Sequence, residues 1–156
     1  MEKQRLNRLI ISAIVFIFML VPIFTSVFGQ ETYSVAGVIH LLESEGQLLV
    51  QLKTFKEFDD DIKTTDPKRN LTIVPTQQQF QDKKVPFKFT GIPKGEYCIR
   101  CLHDVNSNNE MDRVPNVGIP AEPITYSMEP MAWKPMWEGT RFKVDGDVSG
   151  LEIKFP

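Results

Sequence analysis

Every second residue is apolar along most of this chain, and that period of two constrains the fold more than any other feature. Tyr33, Val35, Ile39 and Leu41 share one face of a first run, with Ser34, Ala36 and His40 on the other. Leu48, Val50 and Leu52 alternate with Gln51 and Lys53 after a Ser44-Glu45-Gly46 turn. The period returns at Leu71 and Ile73, at Phe87 and Phe89, and at Tyr97, Ile99 and Cys101. It closes the chain at Phe142 and Val144 and at Leu151, Ile153 and Phe155. Successive side chains of a strand point to opposite faces, so such alternation marks half-buried strands. No stretch carries a convincing helical period. About seven short strands separated by turn residues predict an all-β fold, a single antiparallel β-sandwich. The 11 prolines suit its loops and edge strands.

The first thirty residues are of another kind. Lys3, Arg5 and Arg8 form a basic start, and from Leu9 to Phe24 only Ser12 and Pro22 interrupt an apolar run. A basic start, a short apolar stretch and small residues at a cut site are the parts of a secretory signal. The reading is a signal peptide over 1–29, with Val27 and Gly29 in the small-residue slots, followed by one domain over 30–156. The rival is an uncleaved anchor, but a helix over 9–24 spans only about 24 Å, short of a hydrocarbon core of about 30 Å. The expected location is therefore periplasmic or extracellular, with membrane contact only through an uncleaved leader. The chain's formal charge of −2 becomes −4 once 1–29 are removed. An acidic domain of this kind has no electrostatic case for binding nucleic acid.

Cys98 and Cys101 spell C-x-x-C, which in an exported protein raises a redox or metal site. The surrounding residues read as a strand, however, where positions three apart face opposite ways and the sulfurs do not meet. Two separate buried thiols are expected. Asp59-Asp60-Asp61, followed by Lys63, Lys68 and Arg69, reads as a solvated loop.

The long irregular stretch from Asn106 to Gly139 is where function is sought. Just at its start, Asp104, Asn106, Asn108 and Asp112 place oxygen-bearing side chains at positions 1, 3, 5 and 9 of a nonapeptide, and Glu110 offers a backbone carbonyl at position 7. Calcium wants six to eight oxygens, and a tight loop with this spacing can aim them inward. Asn109 stands at position 6, where the turn calls for a left-handed residue that asparagine tolerates. The twelfth position is Pro115, so the usual bidentate glutamate is missing, and Glu122 is available to fold back in its place. The plainer alternative is that Asp and Asn cap their own backbone turns without any metal.

The segments Gly91-Ile92-Pro93-Lys94-Gly95-Glu96-Tyr97, His103-Asp104-Val105-Asn106-Ser107-Asn108 and Gly118-Ile119-Pro120-Ala121-Glu122 together resemble the bacterial domain of unknown function 2141, over roughly residues 33–156. The pattern departs from that family at Asn109, where glycine is common, and at Pro123 to Ser127. The resemblance implies an exported protein with a prealbumin-like or immunoglobulin-like sandwich and implies no activity.

His103, at the strand-to-loop junction, is read as a structural imidazole; a hydrolase centred on His103 with Asp104 and Asp112 is the alternative. Met128, Met131, Trp133, Met136 and Trp137 form a dense soft and aromatic segment. A lid over the end of the sandwich is the first reading, a partner surface at Met131, Trp133, Met136 and Trp137 the second, and copper(I) held by thioethers the third. The expected function is a non-enzymatic binding or structural accessory domain with a calcium-ordered loop at 104–112. Its partner would be a protein or a carbohydrate.

Overall fold

The computed structural model describes residues 30–43, 45–59, 64–128 and 135–156. The leader read over 1–29, and with it the signal helix, lies outside the described residues, as do Asp60, Asp61, Met131 and Trp133. Among the described residues, no helix is long and apolar enough to cross a membrane.

Among the described residues, eight strands form in the order β1 (Thr32–His40), β2 (Gln47–Lys53), β3 (Asn70–Ile73), β4 (Lys84–Pro93), β5 (Gly95–Asp104), β6 (Ile124–Tyr126), β7 (Phe142–Val144) and β8 (Val148–Lys154). They make a three-stranded sheet, β4-β1-β8, and a second sheet, β3-β2-β5-β6, with β7 also paired to β5. Most pairings are antiparallel, as the sandwich reading expects, but β8 runs parallel to β1, so the first sheet is mixed. β6 lies in a stretch expected to be loop. Val35, Ile39, Phe87, Phe89 and Ile153 of the first sheet share one hydrophobic core with Leu48, Val50, Tyr97, Ile99 and Cys101 of the second. The chain passes from one sheet to the other at 41–46 and again at the Pro93–Gly95 turn, where the Tyr97 hydroxyl donates to the Pro93 carbonyl at 3.0 Å.

A short helix, α1 (Gln77–Asp82), was not expected from periodicity. Its start is a capping box: the Thr76 hydroxyl accepts from the Gln79 N–H while the Gln79 side chain accepts from the Thr76 N–H. A second helical turn, α2 (Trp137–Thr140), follows the methionine-rich stretch.

β2 and β5 are buried on both faces. Behind the core, the outer face of the second sheet carries Gln47, Gln51, Lys53, Arg100 and Asp104, all buried. Register places Gln47 opposite Asp104, Gln51 opposite Arg100 and Lys53 opposite Cys98. A small aromatic cluster of Phe58, Cys98 and Trp137, with Tyr126 against it, covers one end of that face. Ser127 pins this region to the sheet: its Oγ accepts from the Ile99 N–H at 2.8 Å and donates to the Thr140 carbonyl at 2.6 Å.

The two cysteines stand as the strand reading requires, Cys98 in the outer cluster and Cys101 in the main core, both free thiols. Burial pushes the Cys98 thiol up to about 12 and raises that of Cys101 as well. The thiolate is the reactive form, so the native protein is expected to react with a disulfide reagent about a thousandfold more slowly than a free thiol. A spectrophotometric thiol titration should find both groups only after denaturation; rapid native reaction of either would place it at the surface.

Candidate functional site

Strand β5 delivers its last two residues to opposite faces. His103 enters the core side, fully buried, with Nε2 2.9 Å from the Glu45 carbonyl and its ring 5.8 Å from that of Phe155. Its Nδ1 has no hydrogen-bond partner among the described residues. Asp104 enters the outer side, also fully buried. The pair expected for a hydrolase is therefore not brought together, and among the described residues no serine hydrogen-bonds to the imidazole.

Asp104 is the root of the loop. Its carboxylate accepts from the backbone N–H groups of Asn108 at 3.0 Å and Asn109 at 2.8 Å, and from the Gln47 side-chain amide at 2.7 Å. Gln47 also donates to the Asn109 side-chain oxygen at 3.1 Å. Gly46, at φ 88°, lets the backbone pass close beneath: a Cβ there would lie 2.4 Å from the Asp104 carbonyl oxygen. Asn109 takes the left-handed conformation expected at position 6, with φ 67°, and Ser107 does the same at 58°. Met111 rests on the sheet with its sulfur 3.2 Å from Arg100 Nη2.

The remaining oxygen groups bond one another. Asn106 and Asn108 turn their side-chain amides to Asp112, at 2.6 and 3.1 Å. Their side-chain oxygens accept from the N–H groups two residues on, Asn108 and Glu110. Glu122 does fold back: its carboxylate accepts from the Val105 N–H at 2.8 Å and from the Asp112 N–H at 3.3 Å. Asp104 and Glu122 thus brace the loop from below and beside it, through backbone amides that would otherwise go unpaired. The sequence pointed to Glu122 only as a missing ligand; the roles of Gln47 and Gly46, brought in from another strand, carry no local signal.

Beyond Asp112 the chain rises as a hairpin. Arg113 and Pro120 form an isolated antiparallel bridge, the Ala121 N–H donates to the Asp112 carbonyl at 2.8 Å, and the Val114 N–H to the Ile119 carbonyl at 2.9 Å. Its turn uses positive φ at Asn116 (63°) and Gly118 (76°), and the Arg113 guanidinium folds back onto the Gly118 carbonyl.

Among the described residues, no three His, Cys, Asp or Glu side chains gather into a group that would hold a metal ion. A cation in the 104–112 loop would therefore lean on amide and carbonyl oxygens as much as on carboxylates. Of the soft segment, Met128 and Met136 are exposed, while Trp137 is buried at 8 % exposure, edge-on to Phe55 and Phe58 at 5.6 Å. Trp137 thus packs into the small aromatic cluster, and of the segment's described residues Met128 and Met136 are the exposed ones.

A family model described as an uncharacterized protein conserved in bacteria (DUF2141) matches residues 37–151. No curated protein and no solved structure matches the chain.

Proposed function

We propose that this chain, which belongs to the bacterial family matched over residues 37–151, is an exported, non-enzymatic accessory domain that works by presenting its 104–122 loop. In this reading the leader over 1–29 is removed on export, and the two sheets stack as a prealbumin-like or immunoglobulin-like sandwich that carries the loop at one end. The observation that supports it is where the loop's polar groups are spent. Asp104, Asp112 and Glu122 accept hydrogen bonds from backbone and side-chain amides of the loop itself or of Gln47. A general base needs an open path to a proton and an orienting partner, whereas these carboxylates act as braces. Groups arranged this way favour a fixed display over a reaction centre.

Calcium is the cation we assign to this loop. Asp112, held by two amides at its exposed end, is the group a cation would approach, with Asn106, Asn108, the Glu110 carbonyl and Asp104 completing the oxygen set. Binding to the folded state alone raises stability by linkage. With the millimolar affinity common in extracellular calcium modules, about 10 mM calcium should add about 1–3 kcal/mol to a chain starting at residue 30. Thermal unfolding with calcium and then with a chelator measures this. Asp112→Asn should abolish the shift, read against the variant's own calcium-free midpoint, which falls a little because one of the two amide contacts to position 112 is lost. An identical midpoint with and without calcium rejects the cation and leaves a loop held by its own hydrogen bonds.

A further inference from the structure

Arg100 lies on the outer face of β5, only 4 % exposed, and its guanidinium keeps its charge throughout the range in which proteins fold. A buried cation is stabilised by every acceptor brought to it. The acceptors of Arg100 include two neutral groups: Gln51 Oε1 stands 3.4 Å from Nη1, and the Met111 sulfur 3.2 Å from Nη2. A thioether is a weak acceptor. The loop on either side holds that sulfur in place. The Glu110 N–H donates to the Asn108 side-chain oxygen at 2.8 Å, and the Asp112 N–H to the Glu122 carboxylate at 3.3 Å. Met111 itself is half-buried, which leaves it open to a small oxidant.

We propose that Met111 is a site of reversible oxidation, and that its sulfoxide fastens the 104–112 loop to the second sheet through Arg100. The oxidant is of the peroxide class. The sulfur gives a lone pair to one peroxide oxygen, and the O–O bond breaks. The hydroxide that leaves takes the proton from the oxygen now on sulfur and becomes water. Sulfur loses two electrons and the peroxide gains them. A dithiol-dependent reductase reverses the step: the oxygen leaves as water while the two thiols become a disulfide. The purpose of the switch rests on the reading of this loop as the presented element, since oxidation sets how firmly the display is held.

Two features separate this position from ordinary oxidative damage. A sulfoxide in an apolar core is disruptive, whereas here the new oxygen forms beside a buried cation. Sulfoxide oxygen is a strong, partly negative acceptor, and against a guanidinium it makes a charge-assisted hydrogen bond, roughly twice as strong as a neutral one. The second feature is stereochemical. A thioether sulfur has two lone pairs, and oxygen added to one gives the opposite epimer to oxygen added to the other. The Arg100 N–H occupies one of them, and freeing it costs a hydrogen bond, worth about tenfold. Oxygen therefore enters at the other. Rotation about the Cγ–Sδ bond then brings it to Nη2, because the end of a methionine side chain turns readily.

The test treats the full chain with hydrogen peroxide and follows one added oxygen on the peptide that carries Met111 by mass spectrometry. The two stereospecific sulfoxide reductases then report which epimer formed, since each removes only one. The expected result is about a tenfold excess of one epimer from the folded chain and near-equal epimers from the chain unfolded in urea. For stability, Met128, Met131 and Met136 are first replaced by Leu, because they take up oxygen as well. Oxidation of that chain should raise the thermal midpoint by about 3 °C, and adding Met111→Leu, a swap of similar volume, should remove the rise. Equal epimers from the folded chain, or a midpoint that does not rise, overturns the proposal. The epimer ratio is read in the unsubstituted chain, so it decides the matter even where the Leu replacements disturb the fold. Both readings are taken without calcium, so their failure leaves the proposed display in place, and a flat calcium titration leaves them unaffected.

Discussion

Gly37→Ala should lower the melting midpoint by about 10 °C or prevent folding altogether. Gly37 lies in β1 opposite Leu151 of β8, and a Cβ at position 37 would stand 2.1 Å from the Leu151 carbonyl oxygen and 2.8 Å from its carbonyl carbon. The nearest obstructing atoms are backbone and the next, the Leu151 Cβ at 2.8 Å, is fixed to it, so relief requires the two strands to separate. Separation breaks the ladder that holds β8 in its sheet. It also loosens Ile153, which is 1 % exposed in the core. Overpacking of a well-filled site costs about 1–3 kcal/mol and more when backbone must move; about 3 kcal/mol corresponds to about 10 °C in a domain of this size. Scanning calorimetry decides it. A midpoint within about 2 °C of the parent would mean that β1 and β8 do not pack as closely as described.

Among the described residues, acid should weaken the fold through one carboxylate above the others. Burial pushes the Glu57 carboxyl up, but a hydrogen bond from the Arg69 guanidinium and two from the Thr54 N–H and hydroxyl outweigh it, and the group falls from 4.5 to about 2. Arg69 Nη2 lies 2.9 Å from Glu57 Oε1, and its other terminal nitrogen also donates to the Leu52 carbonyl at 3.2 Å. The pair clamps the 54–69 loop to β2, with side chains only 10 % and 18 % exposed. Because the folded value lies below the unfolded one, the stabilisation is complete above about pH 4.5 and is lost as the pH falls towards 2. The shift corresponds to about 3 kcal/mol. Denaturant unfolding from about pH 6 to about pH 2 should show that loss in the parent. In Glu57→Gln the slope should be shallower by about that amount, while the stability at the upper end of the range is already reduced. Equal slopes would mean that the clamp is not formed.

Much of the architecture could be read from residue order because half-buried strands write their period into the sequence. Tyr33 to His40, Leu48 to Lys53 and Tyr97 to Cys101 all became strands with the expected faces inward. Direction is another matter: alternation is identical in parallel and antiparallel partners, so nothing in Leu151, Ile153 and Phe155 foretold that β8 runs parallel to β1. β6 escaped notice because three residues, Ile124 to Tyr126, are too few to show a period. α1 is also short, but its Thr76 and Gln79 capping pair was a local signal that periodicity passes over. Polar residues opposite apolar ones were read as solvent-facing, and for Gln51 and Lys53 that fails: they are 7 % and 0 % exposed. A strand's own sequence does not tell whether loops from elsewhere roof its second face.

The candidate site divides in the same way. Asn109 in the left-handed region was legible, because it follows from spacing along one continuous stretch; Glu122 was expected to return as a cation ligand, and its carboxylate accepts from backbone N–H groups of the loop. The burial of Asp104 was not legible, since it arises from Gln47 and Gly46 on β2's approach, 57 and 58 residues earlier. Nor was the split between His103 and Asp104: their adjacency in sequence suggests partnership, whereas on a strand adjacency means opposite faces.

The position of β1 has a consequence for how the molecule comes into being. Among the described residues, the first strand made sits in the middle of its sheet, with the last of them bonded along one side of it. A chain that emerges from its N-terminus must hold that edge open until β8 has been released, and the delay grows with every contact that joins distant parts of the chain. During that interval the exposed side of β1 is a template for a stranger's backbone, which gives any holdase that meets the nascent chain a defined place to act. Loss of residues 149–156, which takes away nearly all of β8, would make the open edge permanent.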